Sequence, residues 1–405
     1  MRHYRFPARA GGMSLIEVMV AIALSALILL GITQIFGANK ASHQLQNALS
    51  RIQENARFAL IALERDVRMA GYLGGGNDLN RTAAGNGNFT NHLAANGIDT
   101  DAFPYRFHRA LEVFNANALV TAANPPVGGA NDWTPALPAA LGNARPLQGS
   151  DILVLRFFSE ESIPLTGFNP ADDTFTVLKD SFPDGKPFTA SGIYGVGNYR
   201  FADVFQATHV EGHRIAAGYT AGEPGNRYQY DPQNSPGRTW RGDREVEYGV
   251  QGTGQRWWNA ELHRANYVAY YVGQGAGGQP ALMMQTLTST GSVESRELLE
   301  GVESIQVLIG RDTAVPPDDT ADTYVTAAAL IEGSSGEAQR DERWRQARSL
   351  QLALLIRSVD TFNSPQPTDR QYVLLDQSLT RPDDRRLRQI YRTTVSLRNR
   401  ISNAQ

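Results

Sequence analysis

Residues 11–36 read GGMSLIEVMVAIALSALILLGITQIF, and no other stretch of the chain restricts the possible folds as tightly. The run from Val18 to Ile32 is apolar apart from Ser25 and Gly31. It is long enough to span or nearly span a bilayer as a helix, the element that satisfies its own backbone there. One carboxylate, Glu17, stands at its start. A charge in that setting is costly and implies a partner. Upstream, Arg2, Arg5 and Arg9 form a basic leader with no acidic residue before Glu17. Basic flanks stay cytoplasmic, so everything beyond residue 36 is expected on the far side of the membrane. A secretory signal peptide would carry its small-residue cleavage site after the apolar run. Here the small pair Gly11-Gly12 precedes it, and no A-x-A-like site follows.

A basic leader ending in Gly, a Glu five residues on and an immediate apolar run together resemble the type IV prepilin (class III) signal. The resemblance implies that a prepilin peptidase cuts between Gly12 and Met13. It implies that Met13 is then N-methylated, and that Glu17 pairs with the N-terminal amine of a neighbouring subunit during assembly.

The helical pattern continues past the apolar run. Leu45, Leu49, Ile52, Ala56, Ala59, Leu63, Val67 and Ala70 are spaced by steps of three and four, which marks one helical face. Gln46, Arg51, Gln53, Glu54, Arg57 and Arg65 fall elsewhere. With no proline between Pro7 and Pro104, one helix from Ser14 to Gly71 is expected, about 85 Å long, stopped by Gly71 and Gly74–Gly76. Its second half should lay the apolar stripe on a globular head; a coiled coil is the alternative.

The segment QENARFALIALERDVRMAGYLGG, Gln53 to Gly75, resembles the close of the long helix in PilW-type minor pilins. Three further segments resemble that family: Gly149–Arg156 as its first head strand, Glu297–Gly310 as its late strand, and Arg385–Arg400 as its C-terminal segment. Relatives of this type often carry a Cys just after AGYLG. Gly75 stands there and the chain has no cysteine, so no disulfide applies.

The rest of the chain must therefore hold its fold by burial, and roughly 330 residues beyond the helix suffice for a sizeable core. Removal of residues 1–12 leaves 35 Lys and Arg against 41 Asp and Glu. That acidic balance gives no indication of nucleic acid as a partner. Strand-like runs occur at Ile152–Phe158, Thr174–Leu178, Tyr199–Thr208, Tyr267–Val272, Leu282–Leu287, Ser304–Ile309 and Leu350–Ser358. Residues 73–148 read as a long irregular excursion with a short helix or two, and residues 219–257 as an insertion. The expected fold is α+β: a long N-terminal helix packed on a β-sheet-rich head with long loops.

Signs of site chemistry are sparse. In His209-Val210-Glu211-Gly212-His213 the two histidines would share a strand face with Glu211, a geometry open to a metal, but surface histidines are the plainer reading. Gly273–Gly278 runs into Gln279-Pro280 and not into a helix, so it reads as a turn and not a phosphate cradle. Asp312, Asp318, Asp319 and Asp322 sit where PilW-type relatives can carry a calcium loop. Pro316-Pro317 and the lack of Gly favour a solvated acidic loop. Trp240, Trp257, Trp258, Tyr228, Tyr230, Arg238 and Arg241 form an aromatic-basic cluster suited to a protein, sugar or single-stranded DNA, with core packing of an inserted loop as the alternative.

The expected organisation is a leader at 1–12, a helix at 13–72 with 13–36 in the membrane, and a head at 73–405. The expected role is that of a non-enzymatic minor pilin that initiates or caps a pilus, with no cofactor. Its partners would be the prepilin peptidase, other minor pilins, the major pilin, inner-membrane lipid and a tip adhesin. It would sit first in the inner membrane of a Gram-negative bacterium with a periplasmic head, then in the pilus. A type II secretion pseudopilin and a membrane-tethered adhesin or ligand-binding module are the alternatives.

Overall fold

The structure is a computed structural model describing residues 12–75, 89–93, 103–122, 124–169, 173–199, 201–217, 249–251, 256–316, 318–361, 370–380 and 384–399. One helix, α1 (Leu15–Met69), runs for 55 residues, about 83 Å. Ser14 takes the cap position, and the helix ends two residues before the expected Gly71. Gly71 adopts φ +83°, a left-handed conformation natural to glycine. Its N–H donates to the Arg156 carbonyl at 3.0 Å, and the Tyr72 carbonyl accepts from Phe158 N–H at 2.8 Å. The chain thus leaves the helix directly onto a strand of the head.

The head is mostly strand. β1 (Phe89–Asn91), β2 (Leu111–Ala116) and β3 (Trp133–Thr134) precede a one-turn helix, α2 (Ala139–Gly142). Next come β4 (Ile152–Asn169), β5 (Thr174–Val177), β6 (Ile193–Gly197), β7 (Ala202–Gln206), β8 (His209–Glu211) and β9 (Arg214–Ala216). A small pair follows, β10 (Gly249–Gln251) and β11 (Arg256–Trp258), and then β12 (Glu261–Gln274), β13 (Pro280–Leu287), β14 (Val293–Glu300) and β15 (Val302–Arg311). The remainder is β16 (Thr323–Val325), α3 (Ala327–Ile331), α4 (Glu337–Arg345), β17 (Ala347–Arg357), β18 (Gln371–Leu374), β19 (Gln377–Thr380) and β20 (Arg388–Ser396).

The larger sheet runs β1-β7-β6-β12-β4-β5-β9-β8, with β13 and β14 branching from β12, and β2 and β3 from β4. It forks because β12 is long: residues 261–264 pair with β6 and residues 268–274 with β13. The smaller sheet runs β16-β15-β17-β20 and is antiparallel. The main core joins the two sheets. Into it α1 lays Ile52, Ala56, Ala59, Leu63, Val67 and Ala70, alongside Leu155, Tyr270, Leu352, Leu354 and Val395. Three of those six helix residues are alanines, which let the helix approach the sheet closely. A separate cluster of Phe168, Phe175, Phe205 and Leu262 fills the β5–β9 region.

The architecture is α+β with a mostly β head, and strands occupy each of the seven expected runs. Ile152–Phe158 is only the first part of an 18-residue strand. It does not open the head, because β1, β2 and β3 precede it. Within residues 73–148, where irregular chain is expected, those three short strands form; residues 76–88 and 94–102 lie outside the described residues. The Glu297–Gly310 segment is two strands and not one, since Gly301 turns between β14 and β15 at φ +89°. A Cβ there would come within 2.7 Å of the Arg357 carbonyl oxygen.

Candidate functional site: the stem and its seat on the head

The stem divides into a bare half and a docked half. From Met13 to Phe36 every large apolar side chain is exposed, with Leu15 at 77% and Phe36 at 72%. A helix that leaves so much apolar surface bare needs a lipid or protein environment. At its tip, Glu17 turns back and accepts a hydrogen bond from Ser14 N–H at 3.2 Å. The positive end of the helix dipole favours a carboxylate in that first turn. Gly12 has no heavy atom of the rest of the chain within 4 Å of where a Cβ would sit, and Met13 is 70% exposed. All three residues of the expected processing and assembly site thus lie together on an open helix start.

The docked half begins at Ala48. Leu45, expected on the buried stripe, is exposed, and Leu49 is half-buried. From Ile52 onward the three-and-four spacing matches the buried face residue by residue. Polar contacts fix the register. The buried Asp66 carboxylate accepts from the Tyr270 hydroxyl at 2.7 Å and from Arg65 Nε at 2.9 Å. Burial, and then the Asp66 charge, push the Tyr270 phenol above its ordinary value. Glu64 accepts from Thr393 Oγ1 at 2.7 Å, and Asn399 donates to the Arg68 carbonyl at 2.9 Å. Asp66 was legible only as one acidic residue inside the apolar stripe, three after Leu63 and one before Val67. On the opposite side Phe58 and Ile61 remain more than half exposed, between Glu54, Arg57 and Arg65.

Two further buried polar sites went unread in the sequence. Asp151, within the Gly149–Arg156 segment, accepts from Ala116 N–H and Val307 N–H at 2.8 Å each and from Asn115 Nδ2 at 2.7 Å. It thereby ties β2 and β15 across the two sheets, although burial pushes its carboxyl up to about 7. Arg109 joins β2 to α4 through Glu112 at 2.8 Å, Glu337 at 2.7 Å and Asp341, and Arg156 reaches Glu112 at 2.8 Å. Burial opposes the charge on Glu112, but the Arg156, Arg109 and Arg106 guanidinium groups outweigh it and hold the carboxyl at about 2. Such opposed buried charges hold these elements together.

The remaining sequence candidates are dispersed. The single strand that would put His209 and His213 on one face does not form, because β8 stops at Glu211. Gly212 turns the chain at φ +56° and Glu211 pairs across the hairpin with Arg214, so His209 opens the strand while His213 lies in the turn itself. Among the described residues no group of three His, Cys, Asp or Glu could hold a metal ion. Gly273 and Gln274 end β12, and Gly275–Gly278 form the turn into β13. The Glu297 carboxylate accepts from Ala276 N–H at 2.7 Å, taking an amide a phosphate would need. In the acidic loop, Arg348 Nε lies 3.4 Å from Asp312 and 3.1 Å from Asp319, and Thr313 donates its N–H to Asp322 at 2.6 Å. The carboxylates face a guanidinium and loop donors where calcium would need them. Trp258 is half-buried against the β5–β9 cluster. Tyr228, Tyr230, Arg238, Trp240 and Arg241 lie outside the described residues, and the exposure of Trp257 is not described.

Comparison with known families gives two matches at opposite ends of the chain. Residues 269–399, from within β12 to just past β20, match the family described as type IV pilus-assembly protein W. Residues 7–33 match the prokaryotic N-terminal methylation motif. No curated protein and no solved structure matches.

Proposed function

Because the chain is a PilW-type pilin, a minor pilin of type IV pilus assembly, we propose that it acts through its stem as an initiating or capping subunit of the filament. The matched families are those of assembly components and not of enzymes. In this reading a prepilin peptidase removes residues 1–12, and Met13 becomes the N-methylated terminus. Residues 13–36 then anchor the chain in the inner membrane of a Gram-negative bacterium, with residues 73–405 as a periplasmic head. From there the stem moves into a complex with other minor pilins and the major pilin. One observation carries the proposal: a single unbroken helix is bare and apolar over its first half and pinned to the head over its second. A subunit built this way can exchange lipid for neighbouring helices without refolding its head. Glu17 supplies direction, because a desolvated carboxylate gains from a cationic N-terminus and costs several kcal/mol if left without one.

Intact mass and N-terminal sequencing of the membrane-extracted protein test the processing step. A chain beginning at Met13 is expected, and Gly12→Val should leave the leader uncut. A chain beginning near residue 38 would refute the reading. Glu17→Ala should be cut and inserted normally yet fail to co-purify with other pilins. Undiminished co-purification and piliation would show that the helix serves only as a tether.

A further inference from the structure

The turn by which the stem enters the head rests on a buried histidine. His263, on β12, is wholly buried. Its ring stacks on Phe158 at 5.6 Å and meets Tyr72 edge-on at 5.9 Å. Nδ1 lies 2.8 Å from the Ser159 carbonyl, which can only accept, so Nδ1 carries the proton. Nε2 is buried and finds no hydrogen-bond partner among the described residues. It faces the backbone of Gly74, where a Cβ would approach it to 2.8 Å. Gly74 itself sits at φ +72°. This is the turn that Gly71 N–H and the Tyr72 carbonyl tie to β4.

We propose that His263 makes the stem–head junction acid-labile: neutral, it supports the Gly71–Gly74 turn, and protonated, it releases it. A proton on Nε2 would place a second N–H, and a charge, against apolar rings and glycine backbone. The titratable and charged groups around it offer little relief. On its own strand, the Glu261 carboxylate lies 4.0 Å from Nε2, but its side chain is half-exposed and takes a hydrogen bond from Ser162 at 2.6 Å, and Arg264 is engaged by Asp184. From the turn comes Tyr72, an uncharged phenol pushed up by burial and by Glu261 and Glu160. From β4 come Glu160 and Glu161, the latter paired with Arg264 at 3.4 Å. Burial pushes the His263 imidazole below its ordinary value, outweighing the Ser159 carbonyl and the Glu261 charge that favour the proton. The open junction takes up the proton below pH 6.5, the closed one resists it, and opening grows more favourable as the pH falls. With the closed form fully neutral, the opening equilibrium at pH 5 is about 30-fold larger than at pH 8.

The test is hydrogen exchange of the full mature chain in detergent micelles, read at peptides containing Gly71 and Phe158 and corrected for the intrinsic rate. Wild type should lose protection there, up to about 30-fold between pH 8 and pH 5. His263→Phe, which keeps the ring but cannot titrate, should abolish the pH response, and His263→Gln serves if the Phe variant misfolds. Substitution of His108, a second buried histidine, by Asn should leave the response intact. An unchanged pH response in both His263 variants would overturn the proposal. Protection in wild type that does not vary with pH would do the same.

Discussion

The seat of the stem makes a quantitative demand on Asp66. This side chain is 3% exposed and receives the Tyr270 hydroxyl at 2.7 Å, with Tyr270 itself fully buried. Asp66→Ala removes a charged acceptor and strands a buried hydroxyl, a loss of about 2–3 kcal/mol. Tyr270→Phe leaves the carboxylate with Arg65 and loses a similar amount, about 1.5–3 kcal/mol. Because the two groups share one hydrogen bond, their effects should not add. The double variant should fall short of the sum by about 1–2 kcal/mol. Arg65→Ala should change little, since its side chain is 74% exposed and exposed pairs contribute about 0–1 kcal/mol. The assay is urea unfolding of the mature protein in micelles, followed by tryptophan fluorescence, with a melting temperature for each variant. At about 2–4 °C per kcal/mol, Asp66→Ala should melt about 4–12 °C below wild type. Additive effects, or an Asp66→Ala loss below about 0.5 kcal/mol, would show that the pin does not hold the helix to the head.

Other consequences follow from the same geometry. Leu63→Ala, at a fully buried stripe position, should cost about 2–5 kcal/mol in the same unfolding assay. Phe58→Ala, on the exposed side, should stay within about 0.5 kcal/mol; equal losses would place the wrong face on the head. His108 is held neutral, its imidazole pushed down to about 3 by burial and then by Arg109 and Arg156. The unfolded chain therefore takes up the proton first, and stability contributed by this site should be full above pH 6.5 and drain away from pH 6.5 towards pH 3. His108→Asn should flatten that part of the stability–pH curve, and an unchanged slope would contradict the assignment. Millimolar calcium should not move the melting temperature, because Arg348 already faces Asp312 and Asp319; a calcium-dependent rise would show that the acidic loop is a site after all.

The parts of this protein written locally in the chain were legible without a structure. An apolar run led by Arg residues, with Gly12 before it and Glu17 at its start, needs only the physics of a helix in lipid to be read. The three-and-four spacing from Ile52 to Ala70 specified which side of the stem would be buried, because a helix repeats its contacts every turn. Strands occupy each of the β-rich runs because β-branched and aromatic side chains suit a pleated, half-buried surface. What the periodicity could not say is where the head begins to cover the helix. That depends on where distant segments of the head reach the stem, as Asp360 does at 3.8 Å from Arg51, and it left Leu45 outside. Nor could it assign the polar pins. Asp66 meets Tyr270 across 204 positions, Asp151 meets Val307 across 156, and the His263 ring lies beneath a turn nearly two hundred residues upstream. Each residue is unremarkable in its own window. Only the packing of β4, β12 and β15 with one another and with the stem's neighbours turns these side chains into anchors, because a buried polar group takes its meaning from the partner that tertiary structure brings to it.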